Sequence, residues 1–382
     1  MRVLFFSNGY GPHDHRFLSA LAQTEHEVHF LRLVTGGRVT EHRPIPPSIH
    51  SVSWDGAGRG FRWQDVPRLV AALRRIIQEV RPEIIHAGPI QTCAFLAILA
   101  GFRPVLTMSW GFDLMQDADR NAWWRWVTRY TLRRSSFFVS DAEVTRNRAV
   151  AFGMQRDRTE VFPWGVDLEK FRPGPRNRTS PARLRSSAGS GRAAPRAARK
   201  RFLILCNRSW EPRYGVDVLV RAFVLAARQN DALSLILLSG GSDGNTIRRI
   251  LQEGGQLDRV QFAGHVAQKD QPSWYQKADL FISPSHIDGS SVSLMEALAC
   301  GSAVLISDIP ANREWVRHDV NGWLFRDGDP ADLAQKILWI SSQPRVIPRV
   351  RREARKVAVA RADWKKNFKV LLRAYKRTLA VR

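Results

Sequence analysis

The segment PSHIDGSSVSLMEALACGSAVLISD (284–308) gathers residue types suited to phosphorylated ligands. A strand LFISPS (280–285) runs into a turn with Asp288 and Gly289, and Ser290 or Ser291 can cap a short helix that stops near Gly301. At about 100° per residue, Val292, Leu294, Met295, Ala297, Leu298 and Ala299 surround this helix, leaving Ser293 and Glu296 as its strongly polar side chains. A helix apolar on nearly all sides is buried. A buried carboxylate needs a specific partner, so Glu296 is expected to hold a diol or a cation. The unpaired N–H groups of residues 289–292 and the helix dipole favour phosphate or another anion. An acid before an anion site, with a second acid two turns on, suits a phosphorylated sugar or nucleotide. A capping Asp and a rim Glu in a purely structural helix is the alternative for these residues taken alone.

Other constellations carry less. SNGYGPHDH (7–15) has Gly9 and Gly11 but Asp14 where a dinucleotide fingerprint wants its third glycine, which weakens a hydride-transfer reading. Its glycines can still bring backbone close to a ligand. His13 and His15 lack a carboxylate or Cys set at ligand spacing, so no metal site is expected. Cys93, Cys206 and Cys300 are far apart and odd in number, which argues against a disulfide framework and fits a reducing cytoplasm. His86, ending the apolar run EIIHA, reads either as a cleft residue or as a core histidine.

These residues must be positioned by elements, and the chain supplies them twice. Over 382 residues, apolar strands alternate with amphipathic helices. The first half has VLFF (3–6), a helix near 15–24, VHFLRL (28–33), a helix over 67–80, EIIHA (83–87) and VLTMSW (105–110). The second has FLILCN (202–207), LSLILLSG (233–240), VQFAG (260–264), LFISPS and AVLIS (303–307), with helices near 216–228, 291–300 and 331–342. Such βαβ units predict two parallel-sheet α/β domains, with ligands outside the carboxyl ends of the strands.

The net charge of +24 invites a nucleic-acid or membrane partner, but its location argues otherwise. Residues 172–201 carry +10 and residues 345–382 carry +12, so the remaining body is close to neutral and no specific nucleic-acid partner is expected. Residues 173–200 are rich in Pro, Gly, Ser, Ala and Arg, and a disordered basic insert is predicted there. The expected organisation is an N-terminal domain over 1–172, the insert over 173–200, a C-terminal domain over 201–355 and a basic amphipathic helix over 356–382 that packs back on the N-terminal domain. The tail's apolar stripe of Trp364, Phe368, Leu371, Leu372 and Tyr375 favours docking over a membrane-surface role. The opening MRVLFFSNGYG is too short for a secretory apolar region, and the uncharged stretch 84–102 reads as strand, turn and helix. The segment NAWWRWVTRYTLRRSSFF (121–138) reads either as a membrane-facing patch carrying Trp123, Trp124, Trp126, Arg133 and Arg134, or as a helix packing its aromatics on the sheet.

The 284–308 segment resembles the sugar-nucleotide motif of retaining GT-B glycosyltransferases of family 4 (glycosyl transferases group 1), an acid and a glutamate separated by seven residues. Asp288 and Glu296 fill those two positions. FPWGVDLEKF (162–171), VQFAGHV (260–266), ADLFISPS (278–285), ANREWVRHDVNGWLF (311–325) and the terminal helix follow in the family's order, so the resemblance covers nearly the whole chain. It implies an α/β GT-B fold of two Rossmann-like doubly wound domains facing across a cleft.

It also implies roles. Glu296 would hold ribose hydroxyls, and Asp288 with the amides of Gly289, Ser290, Ser291 and Val292 the donor sugar and diphosphate. Arg208 matches the family's phosphate-binding arginine. The lysine that follows in the family is Tyr214 here, with Arg213 the nearest substitute. Backbone at Gly264, His265 and Val266 would pair with the base, and Gly11 would approach the donor. Where many members have a histidine before glycine, this chain has Trp110 before Gly111, with Asp113 nearby, so Trp110, Asp113 and His86 are the acceptor-side candidates. The implied activity is sugar transfer with retention from a nucleoside diphosphate sugar to a saccharide or lipid-linked acceptor. No cofactor or metal is implied. The setting is the cytoplasm, peripheral at the inner membrane face, with an anionic membrane surface as a candidate partner and cell-surface polysaccharide or glycolipid synthesis as the context. A sugar-nucleotide 2-epimerase of the same architecture and a non-catalytic polyanion or membrane-surface binder are the competing readings.

Overall fold

The computed structural model describes residues 1–36, 41–58, 60–174 and 201–381. Apart from Pro173 and Gly174, the expected basic insert lies outside the described residues. The chain divides into two compact units, Met1–Pro163 with Lys365–Arg382, and Trp164–Trp364.

The first unit holds strands β1 (Arg2–Ser7), β2 (Glu27–Arg32), β3 (Ile49–Val52), β4 (Ile84–Gly88), β5 (Val105–Met108), β6 (Phe137–Ser140) and β7 (Thr159–Val161). They pair in parallel in the order β3-β2-β1-β4-β5-β6-β7. The order reverses direction at β1, which defines a doubly wound sheet. Helices cover it, so the strands read as continuous apolar runs rather than alternating ones: Val3, Leu4, Phe5 and Phe6 are all buried. β3, β6 and β7 are absent from the sequence reading. Only three or four residues long, they offer no periodicity to detect, and β6 follows directly on the aromatic and basic helix Ala122–Arg134.

The second unit holds β8 (Phe202–Cys206), β9 (Leu233–Leu238), β10 (Val260–Gly264), β11 (Leu280–Ser283), β12 (Val304–Ser307) and β13 (Trp323–Phe325). These are parallel in the order β10-β9-β8-β11-β12-β13. Both units are thus Rossmann-like, and the carboxyl ends of each unit's strands share one edge of its sheet.

Two boundaries differ from those expected. Residues 164–172 belong to the second unit, because Val166 and Phe171 are buried in one core with Ala297, Leu298 and Ala362. Backbone bonds fix the junction: Val166 N–H donates to Ala362 O at 2.7 Å, and Trp364 N–H to Val166 O at 3.1 Å. The tail is two helices, Ile347–Arg361 in the second unit and Trp364–Ala380 largely in the first. The terminal helix buries Phe368, Leu371, Ala374 and Tyr375, and each large apolar side chain withdrawn from water contributes roughly 1.5–3 kcal/mol. Among the described residues no helix is long and apolar enough to cross a membrane.

Candidate functional site

The second unit assembles a polar cluster where β8 and β11 end. β11 leads through residues 284–291 into the helix Val292–Ala299, whose Leu294, Met295, Glu296, Ala297, Leu298 and Ala299 are all buried. Ser291 is the N-cap, its Oγ accepting from Leu294 N–H at 3.4 Å. Ser290 has a different task, accepting from Trp315 Nε1 at 3.1 Å. Gly301, at φ +65°, ends the helix in the left-handed region that favours glycine.

Arg208 follows β8 and reaches the start of this helix. Its guanidinium donates to Ser291 Oγ at 2.8 Å and Ser293 Oγ at 3.0 Å, and pairs with Asp288 Oδ2 at 2.8 Å. The Arg208 side chain is only 11% exposed, yet its Nε is buried with no hydrogen-bond partner. A cation set at a helix N-terminus adds positive charge where the dipole is already positive, an arrangement that stands only with anionic company. Asp288 supplies part of it. Burial pushes the Asp288 carboxyl above its ordinary range, against the pull of Arg208 and the helix-start donors. The cluster therefore has capacity for a further anion.

Tyr214 fills the position where a lysine would be expected, and its ring lies 4.3 Å from the Arg208 guanidinium carbon. The aromatic face fixes the plane of the arginine rather than adding a second charge. Gly215 allows the close approach behind it: at φ +59°, a Cβ there would meet Pro284 O at 2.3 Å. Arg213 O accepts from His286 N–H at 3.0 Å, and the Arg213 guanidinium carbon lies 5.9 Å from the Tyr214 ring.

Farther along the same helix, Glu296 is 5% exposed and accepts from Tyr275 Oη at 2.8 Å. Asn207 Nδ2 donates to the same Tyr275 oxygen at 2.6 Å and to Gln271 Oε1 at 3.1 Å. Burial, then the Glu296 charge, pushes the Tyr275 hydroxyl far above its ordinary range and keeps it a donor. A tyrosine hydroxyl is thus one partner of Glu296. Asn207 and Tyr275 were missed as candidate site residues, whereas Ser293 and Tyr214 were noticed without their contacts to Arg208; Asn207 has a signal in adjoining Arg208 at a strand end, and Tyr275 has none.

At β10, Gly264 takes φ +66° and its carbonyl accepts from Ser239 N–H at 2.6 Å. Exposed His265 and half-buried Val266 follow. β10 is the edge strand of the second sheet, two places from β8.

Candidates in the first unit fare differently. Gly11 N–H already donates to Asp14 Oδ2 at 2.8 Å, so that amide is committed to starting the helix Pro12–Leu21. Asp113 is fully buried and accepts from Ser109 Oγ (2.6 Å), Leu114 N–H (3.0 Å), Trp110 N–H (3.1 Å) and Ile90 N–H (3.2 Å). Burial pushes its carboxyl up to about 6, and these four donors make Asp113 a tie between the 109–114 turn and Ile90. Trp110 stays partly exposed, its ring 6.2 Å from that of His13.

His86 is a core histidine. It is 1% exposed, with Nδ1 2.8 Å from Tyr375 Oη of the terminal helix, and its ring packs against Phe5. Burial depresses its pKa from 6.5 to about 3, and burial lowers that of His26, beside Tyr375, as well. A histidine with a depressed folded pKa takes up a proton on unfolding, so its stabilising neutral form is present above the unfolded value and its contribution is lost as pH falls below that value. The melting temperature should drop between about pH 7.5 and about pH 5, and the drop should be smaller in His86→Gln; equal drops would contradict this assignment.

Among the described residues no three His, Cys, Asp or Glu side chains are gathered as metal ligands would be. Cys93, Cys206 and Cys300 are free and buried, with burial pushing the Cys206 thiol up to about 11. None is poised as a nucleophile.

Comparison with known proteins bears on both units. Residues 7–170 match the family model Glycosyltransferase Family 4, and residues 191–357 match glycosyl transferases group 1. A GDP-mannose-dependent alpha-(1-6)-phosphatidylinositol monomannoside mannosyltransferase of Mycobacterium tuberculosis is 29% identical over 329 residues, 78% of this chain and 80% of the relative. A D-inositol 3-phosphate glycosyltransferase of Xylanimonas cellulosilytica is 32% identical over 59% of this chain and 52% of its own length. Among solved structures, a sucrose-phosphate synthase from Thermosynechococcus elongatus superposes with a TM-score of 0.81 at 18% identity, covering 100% of both chains. Anabaena HepE, solved with UDP-glucose, gives 0.75 at 17% identity over 98% of this chain and 99% of that one. Those likenesses establish the architecture.

Proposed function

The chain belongs to the GT-B glycosyltransferases of family 4, glycosyl transferases group 1, and from that premise we propose that it moves a sugar from a nucleoside diphosphate sugar to an acceptor hydroxyl with retained anomeric configuration. The observation that carries the donor class is Arg208, held by Asp288, Ser291 and Ser293 at the start of a buried helix with its Nε unsatisfied. A diphosphate fits there, facing the guanidinium and the helix-start amides of 289–292. Glu296, farther down the helix, accepts from the ribose hydroxyls, with Tyr275 and Asn207 orienting it. Backbone at Gly264, His265 and Val266 is our proposed base contact, and Arg213 and Tyr214 border the phosphates.

In the reaction, the bond from the anomeric carbon to the diphosphate oxygen breaks and a bond to the acceptor oxygen forms on the same face. The departing diphosphate takes the acceptor's proton. Arg208 and the helix start stabilise the charge that grows on the leaving group, the work a divalent metal performs elsewhere. Trp110 remains an acceptor-side candidate through stacking on a sugar face. The mycobacterial relative's name makes GDP-mannose the first donor to try, and HepE's complex makes UDP-glucose the second. The acceptor is a saccharide or lipid-linked hydroxyl in cell-surface glycan or glycolipid synthesis. Free thiols favour a reducing compartment, so the cytoplasm is our proposed setting.

The test is turnover of a sugar-nucleotide panel with simple glycoside and lipid-extract acceptors, in chelator, followed by proton NMR. Release of nucleoside diphosphate with an anomer matching the donor is expected. An inverted product, an epimerised sugar nucleotide, or no turnover of any donor would contradict the proposal.

A further inference from the structure

The helix Ala122–Arg134 presents two unlike faces. Inward, Val127, Thr128, Thr131 and Leu132 are buried, Leu132 in a core with Ile90, Leu114 and Phe138. Outward, helical geometry at about 100° per residue sets Trp123, Trp126 and Tyr130 along one flank and Arg125, Arg129 and Arg133 along the next. Trp123 and Trp126 are each 47% exposed and stack with centroids 5.0 Å apart. Tyr130 continues the ridge 5.1 Å from Trp126, Trp63 extends it edge-on 5.4 Å from Trp123, and Arg134 lies 3.9 Å over the Tyr130 ring. Trp124, by contrast, turns partly inward towards Trp63. The aromatics of this segment therefore divide between packing and solvent.

The helix holds four arginines and no acid. Arg125 is paired with Asp119, but among the described residues no carboxylate pairs with Arg129, Arg133 or Arg134. Half-exposed stacked indoles make an apolar patch that is costly in water unless something covers it, and the neighbouring guanidinium groups without carboxylate partners select an anionic cover. A second copy of the chain would bring like charges together. A layer of headgroups with negative phosphates and an apolar interior satisfies both parts of the ridge, since indoles settle at the headgroup level and guanidinium groups pair with phosphate.

We propose that the Trp123–Trp126–Tyr130 ridge, with Arg129, Arg133 and Arg134, docks this protein on an anionic lipid bilayer. The inference stands apart from the donor-site reading and survives if that reading fails. The basic composition of residues 172–201 and 345–382 makes a separate, salt-sensitive attraction to anions, but charge alone has no means of inserting indoles.

Flotation of the full chain with phosphatidylcholine vesicles, with and without phosphatidylglycerol, tests it at low and raised salt. The wild type should float with the anionic vesicles. Trp123→Ser with Trp126→Ser should lower partitioning at least about tenfold at raised salt, where attraction by the remaining basic segments is screened. Arg129→Gln with Arg134→Gln should lower it at least about tenfold at low salt. Unchanged melting temperatures and nucleoside diphosphate binding in both variants would separate lost docking from lost folding. Wild-type flotation by the tryptophan variant at both salts would overturn the proposal. So would a lipid-independent dimer abolished by the tryptophan substitutions, which would assign the ridge to a second copy.

Discussion

Arg208→Ala should lower kcat/KM for a nucleoside diphosphate sugar by about 10²- to 10³-fold, the loss typical of removing one preorganised donor from a developing anion. The fall should lie mainly in kcat, because the charge it meets is larger in the transition state than in the bound donor. Removing Arg208 also takes away the ion pair of Asp288, whose carboxyl is already pushed up by burial, so Asp288 should protonate still more readily. The substitution should leave the melting temperature little changed, since the cavity opens on a polar cluster rather than the apolar core. Arg208→Lys keeps the charge but loses the fork that reaches Ser291, Ser293 and Asp288 together, and should recover only part of the rate. Full activity in Arg208→Ala would remove the electrostatic account.

Glu296→Gln should act differently. Its shape is preserved and Tyr275 can still donate to the amide oxygen, so folding should persist. What disappears is the charged acceptor we propose for ribose hydroxyls, a hydrogen bond worth about 1.5–3 kcal/mol, or roughly 10- to 100-fold in affinity. The ribose does not react, so the loss should appear as raised donor KM with a smaller change in kcat. Steady-state kinetics with the best donor reads this split. A fall in kcat at constant KM would instead make Glu296 part of the reacting centre.

The two substitutions rest on residues of unequal legibility. Glu296 stood out because the helix around it is apolar on almost every other face, so its polar positions are exceptions that demand partners, and Asp288 stood out in the turn just before that helix. The partners themselves were hidden. Tyr275 lies 21 residues before Glu296, Asn207 lies 68 before Tyr275, and Ser293 lies 85 after Arg208. Contacts at such separations are made by sheet order, which no local pattern encodes. Most strands of four or more residues were legible as apolar runs, whereas three-residue β7 and β13 carry too few positions for a period to show.

Two of the acceptor-side candidates are buried for a common reason. His86 lies in the middle of β4 and Asp113 in the short helix Phe112–Met115 that follows β5, and both titrate. Whether such a group faces solvent depends on what covers it. For His86 the cover is Tyr375, 289 residues away on a helix that docks by its own apolar stripe. For Asp113 it is the turn at Ile90, whose amide needed an acceptor. The net charge was misleading in the opposite sense: it described an insert and a tail, not the neutral body that carries Arg208, Asp288 and Glu296.

The start of the Val292–Ala299 helix, completed by Arg208, is our proposed diphosphate site. Calorimetric titration of the wild type and Arg208→Ala with GDP and UDP, each beside its nucleoside, measures this directly. The wild type should bind at least one diphosphate far more tightly than its nucleoside, and Arg208→Ala should erase most of that difference while nucleoside binding stays the same. Equal affinity of the wild type for nucleoside and diphosphate, or a diphosphate preference untouched by the substitution, would contradict it.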